Sequence, residues 1–147
     1  MNLNQEIFAI KLYEMEQEYG KLQSRLRICG QENHQKVRDE LEKAKDEYKE
    51  HTLVLQESEK GSRSQAVAEL AQVQLEYSRK METLLKGRLE SYLHSEKNSP
   101  AEDKAEAFTL YAEYAIDMAT QAMQYALIAS LAAIDLQMNV EEEKGES

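Results

Sequence analysis

Alanine recurs at every seventh position near the end of this 147-residue chain, from residue 105 to residue 133. Three of the five positions that follow these alanines by three residues are alanine as well. Residues 101–136 contain 11 alanines, and eight of them fall on these ten positions, so composition alone does not account for the alignment. A seven-residue repeat with small side chains at both core positions predicts a long helix whose axis can approach another helix to about 8 Å. We call the ten positions the alanine seam: Ala105, Phe108, Ala112, Ala115, Ala119, Ala122, Ala126, Ala129, Ala133 and Leu136.

The alanine seam packs best against a helix that is equally small at matching positions. It resembles the alanine-based antiparallel helix pairing known as an Alacoil, which is a packing motif and implies no activity. No other segment of the chain carries alanines in this pattern. We therefore expect the seam to pair with the seam of a second copy, in an antiparallel homodimer about a twofold axis. The alternative is that large side chains of the same chain, such as Tyr19 or Leu22, fill the seam.

A second apolar stripe runs along a different face of the same predicted helix. Since one partner cannot cover both stripes, we expect this one to face the other helices of its own chain. Its residues are Tyr111, Tyr114, Met118, Tyr125 and Ile128.

Helix punctuation is sparse, because the chain has only one proline and five glycines. An all-β fold, which needs frequent turns, is therefore excluded. The clearest helix start is Ser99-Pro100-Ala101-Glu102, which combines a capping hydroxyl, a proline in the first turn and the glutamate of a capping box. We predict a helix from about 99 to 139 and another from about 62 to 95. Residues 1–140 are predicted to form a single domain, and residues 141–147 an acidic, disordered tail.

Residues 3–60 carry apolar side chains at heptad spacing from Phe8 to Cys29, and the spacing continues from Asn33 to Leu55 over mostly apolar residues. The pattern passes Gly30 with one extra four-residue step, which is typical of a stutter in a continuous coiled coil, so we favour one helix. The alternative is a break at Gly30, since arginines precede it and an acid follows it. The predicted fold is all-α. Long antiparallel helices form a coiled-coil-like bundle of three helices per chain, or four with the break, and the alanine-rich C-terminal helix is central.

The chain has 28 acidic and 18 basic side chains, a formal net charge of −10. This balance argues against nucleic-acid binding, which needs an excess of Lys and Arg. Residues 118–134 hold no charged side chain, but the run is short for a membrane span and is acidic on both flanks. A buried helix is therefore favoured over a membrane helix. One cysteine and no visible export signal lead us to expect a cytoplasmic location.

No catalytic, cofactor-binding or metal-binding pattern stands out. None of the three histidines follows a carboxylate by three residues, as a di-iron helical bundle requires, and there is no glycine-rich phosphate loop. We therefore predict a non-enzymatic helical interaction or scaffold protein without cofactor or metal, whose partners are itself and, as a further candidate, another helical protein. The alternatives are a small acidic cytoplasmic chaperone for a helical client, and a ligand-binding bundle that uses Thr120, Gln121, Gln124 and Ser130.

Overall fold

The structure is a computed structural model, and it describes residues 3–29, 33–61 and 64–146. These residues form helices and short connections only, which confirms the predicted all-α helical bundle. Within these ranges five helices follow one another, four of them long: α1 (Leu3–Cys29), α2 (His34–Gly61), α3 (Gln65–Thr83), α4 (Leu89–Leu93) and α5 (Pro100–Glu146).

The favoured continuous helix over residues 3–60 is wrong, because α2 begins afresh at His34. Asn33 precedes it and acts as its cap. The side-chain Oδ1 of Asn33 accepts a hydrogen bond from the backbone N–H of Lys36 at 3.0 Å, and its carbonyl accepts one from Val37 at 3.3 Å. A short amide side chain that satisfies a free N–H group favours a helix start. The heptad spacing predicts Asn33 as a core position of one helix. In the structure its side chain caps a new helix. Residues 30–32, including Gly30, lie outside the described residues.

The predicted helix over 62–95 is interrupted. Residues 62 and 63 lie outside the described part of the chain, and α3 is capped by Ser64, whose Oγ accepts a hydrogen bond from the backbone N–H of Val67 at 3.4 Å. After Thr83 the segment Leu84–Arg88 departs from α-helical geometry, with Lys86 at ψ 33° and Gly87 at φ 108°. Glycine adopts that left-handed φ without the steric cost that a Cβ brings. The short helix α4 follows.

The start of α5 matches the prediction. Ser99 Oγ accepts a hydrogen bond from the backbone N–H of Glu102 at 3.2 Å, and the Ser99 carbonyl accepts one from Asp103 at 3.1 Å. The end differs, because α5 continues to Glu146, through residues for which a disordered tail is expected. Gln137 donates to Glu141 one turn later at 3.3 Å, and no glycine or proline occurs between Pro100 and Gly145 to stop the helix.

The chain divides into two compact units, one made of Met1–Gln31 with Glu113–Ser147 and the other of Glu32–Ala112. The predicted single domain over 1–140 stays a prediction. In the second unit, α2 and α3 pack against each other. The hydroxyl of Tyr48 donates to Ser78 Oγ at 2.6 Å, and the two residues stand at similar distances from the connection near residue 63, as in an antiparallel pair. The small core of this second unit contains Ala71, Leu75 and Ala107.

Within the described ranges, no helix is both long and apolar enough to cross a membrane.

Candidate functional site

The first unit, which contains α1 and the C-terminal part of α5, has no buried side chain among residues 5–28 and 113–145, where side chains are described. Most helical stability in proteins comes from burying an apolar face, because isolated helices are marginal in water. Residues 5–28 of α1 and residues 113–145 of α5 therefore lack the packing that would normally stabilise them. This places the most apolar surface of the chain in contact with solvent.

The alanine seam lies along α5 and is largely exposed. Ala115 and Ala133 are half-buried, and the other eight seam residues are exposed. Phe108 is 44% exposed and Leu136 is 63% exposed, although both are large and apolar. Tyr19 and Leu22, the side chains that would fill the seam from the same chain, are themselves exposed. In the single chain the seam is therefore an open surface, which no side chain of the same chain fills among the described residues.

The second stripe on α5 is also mostly open to solvent. Tyr111 and Met118 are half-buried, but Tyr114, Tyr125 and Ile128 are exposed. Burial of this stripe by the chain's own helices is thus found only near its start. Further large apolar side chains on α5 are exposed between the two stripes: Ile116, Met123, Leu127 and Leu131. Removing one such side chain from water contributes about 1.5–3 kcal/mol, so this part of α5 has ample free energy available for association.

Three tyrosines, one each from α2, α3 and the beginning of α5, lie near one another in the second unit. Tyr111 on α5 is half-buried, and its pKa is raised above the usual value of 10.0 by that burial first, and then by the neighbouring phenols of Tyr77 and Tyr48. Tyr48 in turn donates to Ser78. The three phenols are thus close enough to influence one another, as expected for tyrosines at the edge of a core.

A buried carboxylate that sequence reasoning missed stands at the start of α5. Asp103 is 5% exposed, and its Oδ2 accepts a hydrogen bond from His94 Nδ1 at 2.7 Å. The other oxygen, Oδ1, is buried and has no hydrogen-bond partner in the part of the chain that the structure describes. The sequence predicts Asp103 only as a favourable charge near the helix dipole. No sequence signal places His94 against it, because the connection over residues 94–99 determines their contact.

The polar residues proposed for a ligand pocket do not converge. Thr120 donates to the Ile116 carbonyl at 3.2 Å and Ser130 to the Ala126 carbonyl at 2.7 Å, so their own helix satisfies both hydroxyls. Gln121 and Gln124 are exposed. Among the described residues, no group of three or more His, Cys, Asp or Glu side chains is arranged to hold a metal ion.

No family model matches the chain, and neither the curated proteins nor the solved structures include a detectable match.

Proposed function

We propose that this chain is a non-enzymatic helical interaction protein that associates with itself through the alanine seam, as an antiparallel homodimer, and presents its remaining helical surfaces to a protein partner. One observation carries the proposal: the seam lies exposed on a long helix that has no buried side chain from residue 113 to residue 145. A chain with a single cysteine suits a reducing compartment such as the cytoplasm.

Side-chain size along the seam supports a twofold antiparallel pairing. When the centre of the seam lies on the axis, Ala119 of one copy faces Ala122 of the other, and the next pairs outward are also alanine with alanine. The only two large residues then face alanines, since Phe108 meets Ala133 and Leu136 meets Ala105. Large side chains opposite small ones let the two helices stay close over the whole seam.

Substitution at the axis tests this function. Ala122→Leu adds a bulky side chain where two backbones approach, and the twofold axis applies the change twice. Overpacking costs about 1–3 kcal/mol per site, so we expect the dimer dissociation constant to rise at least tenfold in sedimentation equilibrium.

Gln124→Leu is the matched control, because it adds a leucine on the opposite side of α5. It should leave the seam dimer unchanged. A wild-type chain that is monomeric at micromolar concentration would contradict the proposed function, and so would equal effects of the two leucine variants.

The exposed apolar face of α1 favours a second candidate, a small acidic chaperone that holds a helical client. Leu12, Tyr19 and Leu26 follow one another at seven-residue steps and are all exposed, as in a surface that binds an amphipathic helix. Purification from the host should then recover one defined helical protein bound to the chain. A Leu12→Glu/Leu26→Glu variant should lose that protein but keep the seam dimer. Loss of the dimer instead would argue for α1 as a part of the self-association surface.

A further inference from the structure

A shallow, largely open depression of about 460 Å³ lies beside the end of α3, at the point where the chain leaves α-helical geometry. Its open shape suits a chain segment that lies across it, whereas an enclosed pocket would surround a small ligand. Three of its six lining residues carry a positive charge, although the chain as a whole is acidic. We call it the basic groove, and it is lined by Arg79, Lys80, Met81, Thr83, Leu84 and Arg88.

The three cations of the basic groove are on exposed side chains. Within the described residues, neither Arg79, Lys80 nor Arg88 takes part in an ion pair. Glu82 is the only acidic residue between positions 79 and 88 and does not line the groove. Exposed like charges that lie together repel one another, and an anion relieves that repulsion.

The other lining residues are apolar or already satisfied. Met81 and Leu84 are half-buried and supply apolar surface, while the Thr83 hydroxyl donates to the Arg79 carbonyl at 3.0 Å. The groove is therefore suited to a segment that carries carboxylates next to apolar side chains. A bare anion would leave Met81 and Leu84 uncovered.

The end of α5 has the complementary composition. Met138 and Val140 are exposed apolar side chains, and Glu141, Glu142 and Glu143 follow them directly. Glu141 accepts a hydrogen bond from Gln137, whereas Glu142 and Glu143 have no ion pair or hydrogen bond in the described part of the chain. Since α5 stays helical to Glu146, this segment is a helix end whose carboxylates can pair with cations of another molecule.

The register of the seam places the acidic end of α5 from a second copy near the basic groove. In the antiparallel pair described above, Glu141 of a second copy lies level with Pro100, and Glu146 lies level with Ser95. The basic groove ends at Arg88, and only the five residues of α4, about 7.5 Å of helix, separate Arg88 from His94. His94 in turn is held against the start of α5 by its 2.7 Å hydrogen bond to Asp103.

We propose that the acidic end of α5 from a second copy, residues 138–146, docks in the basic groove. Its carboxylates pair with Arg79, Lys80 and Arg88, and its apolar side chains cover Met81 and Leu84. This inference rests on the proposed self-association and gives the dimer a second pair of contacts, one at each end of the seam. Such contacts add orientation, because only an antiparallel pair brings the helix end of one copy level with residues 95–103 of the other, next to the basic groove.

Charge reversal on each side tests the contact between copies. Arg79→Glu/Arg88→Glu makes the groove acidic, and Glu142→Lys/Glu143→Lys makes the helix end basic. Each variant alone forms a homodimer with two mismatched sites, so we expect its dissociation constant to rise about tenfold at low salt. An equimolar mixture of the two variants forms heterodimers in which both sites are matched with reversed or original charges. We expect the mixture to associate as tightly as the wild type, with the heterodimer dominant in native mass spectrometry.

Matched controls reverse the same number of charges elsewhere. Lys43→Glu/Lys49→Glu and Asp46→Lys/Glu50→Lys change exposed side chains of α2 and should leave the dissociation constant within about twofold of wild type. Circular dichroism checks that every variant remains helical.

The outcomes separate this inference from the proposed function. If the mixture stays as weak as its parents, pairing between copies is wrong, including the case in which each helix end binds within its own chain. If Ala122→Leu weakens the dimer but the reversals do not, the seam stands and the groove contact falls. A wild-type monomer at micromolar concentration overturns both.

Discussion

The contact between Asp103 and His94 shows how much one residue pair can depend on the connection between helices. A carboxylate that is 5% exposed needs hydrogen bonds, and within the described residues Asp103 has only the one from His94. The histidine itself is largely exposed, with 60% of its side chain accessible. His94 therefore stabilises the fold mainly through its hydrogen bond to the Asp103 carboxylate, and less through packing of its own ring.

His94→Ala leaves that carboxylate buried without a partner. We expect the free energy of unfolding to fall by about 1–3 kcal/mol, measured by urea denaturation. In an Asp103→Ala background the same histidine substitution should cost little, because no buried carboxylate remains. Equal costs in the two backgrounds would mean that His94 acts through its packing, independently of Asp103.

The burial of Tyr111 near the phenols of α2 and α3 predicts a pH dependence of stability. The raised pKa of Tyr111 means that the folded chain keeps its phenol proton at a pH where the unfolded chain releases it. The contribution of Tyr111 to stability is therefore fully present below about pH 10. It is lost as the pH rises through the higher pKa of the folded state.

Tyr111→Phe should remove this dependence. Between neutral and alkaline pH, the variant should lose less stability than the wild type in urea denaturation. Tyr13→Phe, at an exposed tyrosine of α1, is the matched control and should lose as much as the wild type. If Tyr111→Phe also loses as much as the wild type, burial among these phenols does not govern the alkaline transition.

Helix starts were predicted well where their chemistry is local, and poorly where a longer pattern overrode it. Ser99 caps α5 as expected, because the hydroxyl and the proline act within one turn. The sequence favours continuity over the break before α2, because the apolar spacing continues past Gly30, although Asn33 carries the capping side chain. The interruption at Gly87 is visible in the sequence only as a glycine. The left-handed φ of 108° that makes this glycine useful appears only in three dimensions.

The sequence contains the alanine seam in full, and the structure adds its exposure. Periodicity reports which residues share one side of a helix, but it does not report what covers that side. For the same reason the basic groove is hidden in the sequence. Arg79 and Lys80 are evident as neighbours, whereas the cavity that groups them with Arg88 and Leu84 depends on the chain geometry after Thr83.

The absence of buried side chains over residues 5–28 and 113–145 has a thermodynamic consequence. If this unit obtains its core from a second copy, folding and assembly obey one mass-action equilibrium, and dilution unfolds part of the chain. We expect the thermal unfolding midpoint of the wild type to rise with protein concentration, and that of Ala122→Leu to lie lower at every concentration. A wild-type midpoint that is constant over a hundredfold dilution, roughly 2.7 kcal/mol in association free energy, would show that the unit is stable alone. If the midpoint does rise with concentration, the folded fraction of this protein depends on how much of it the cell makes.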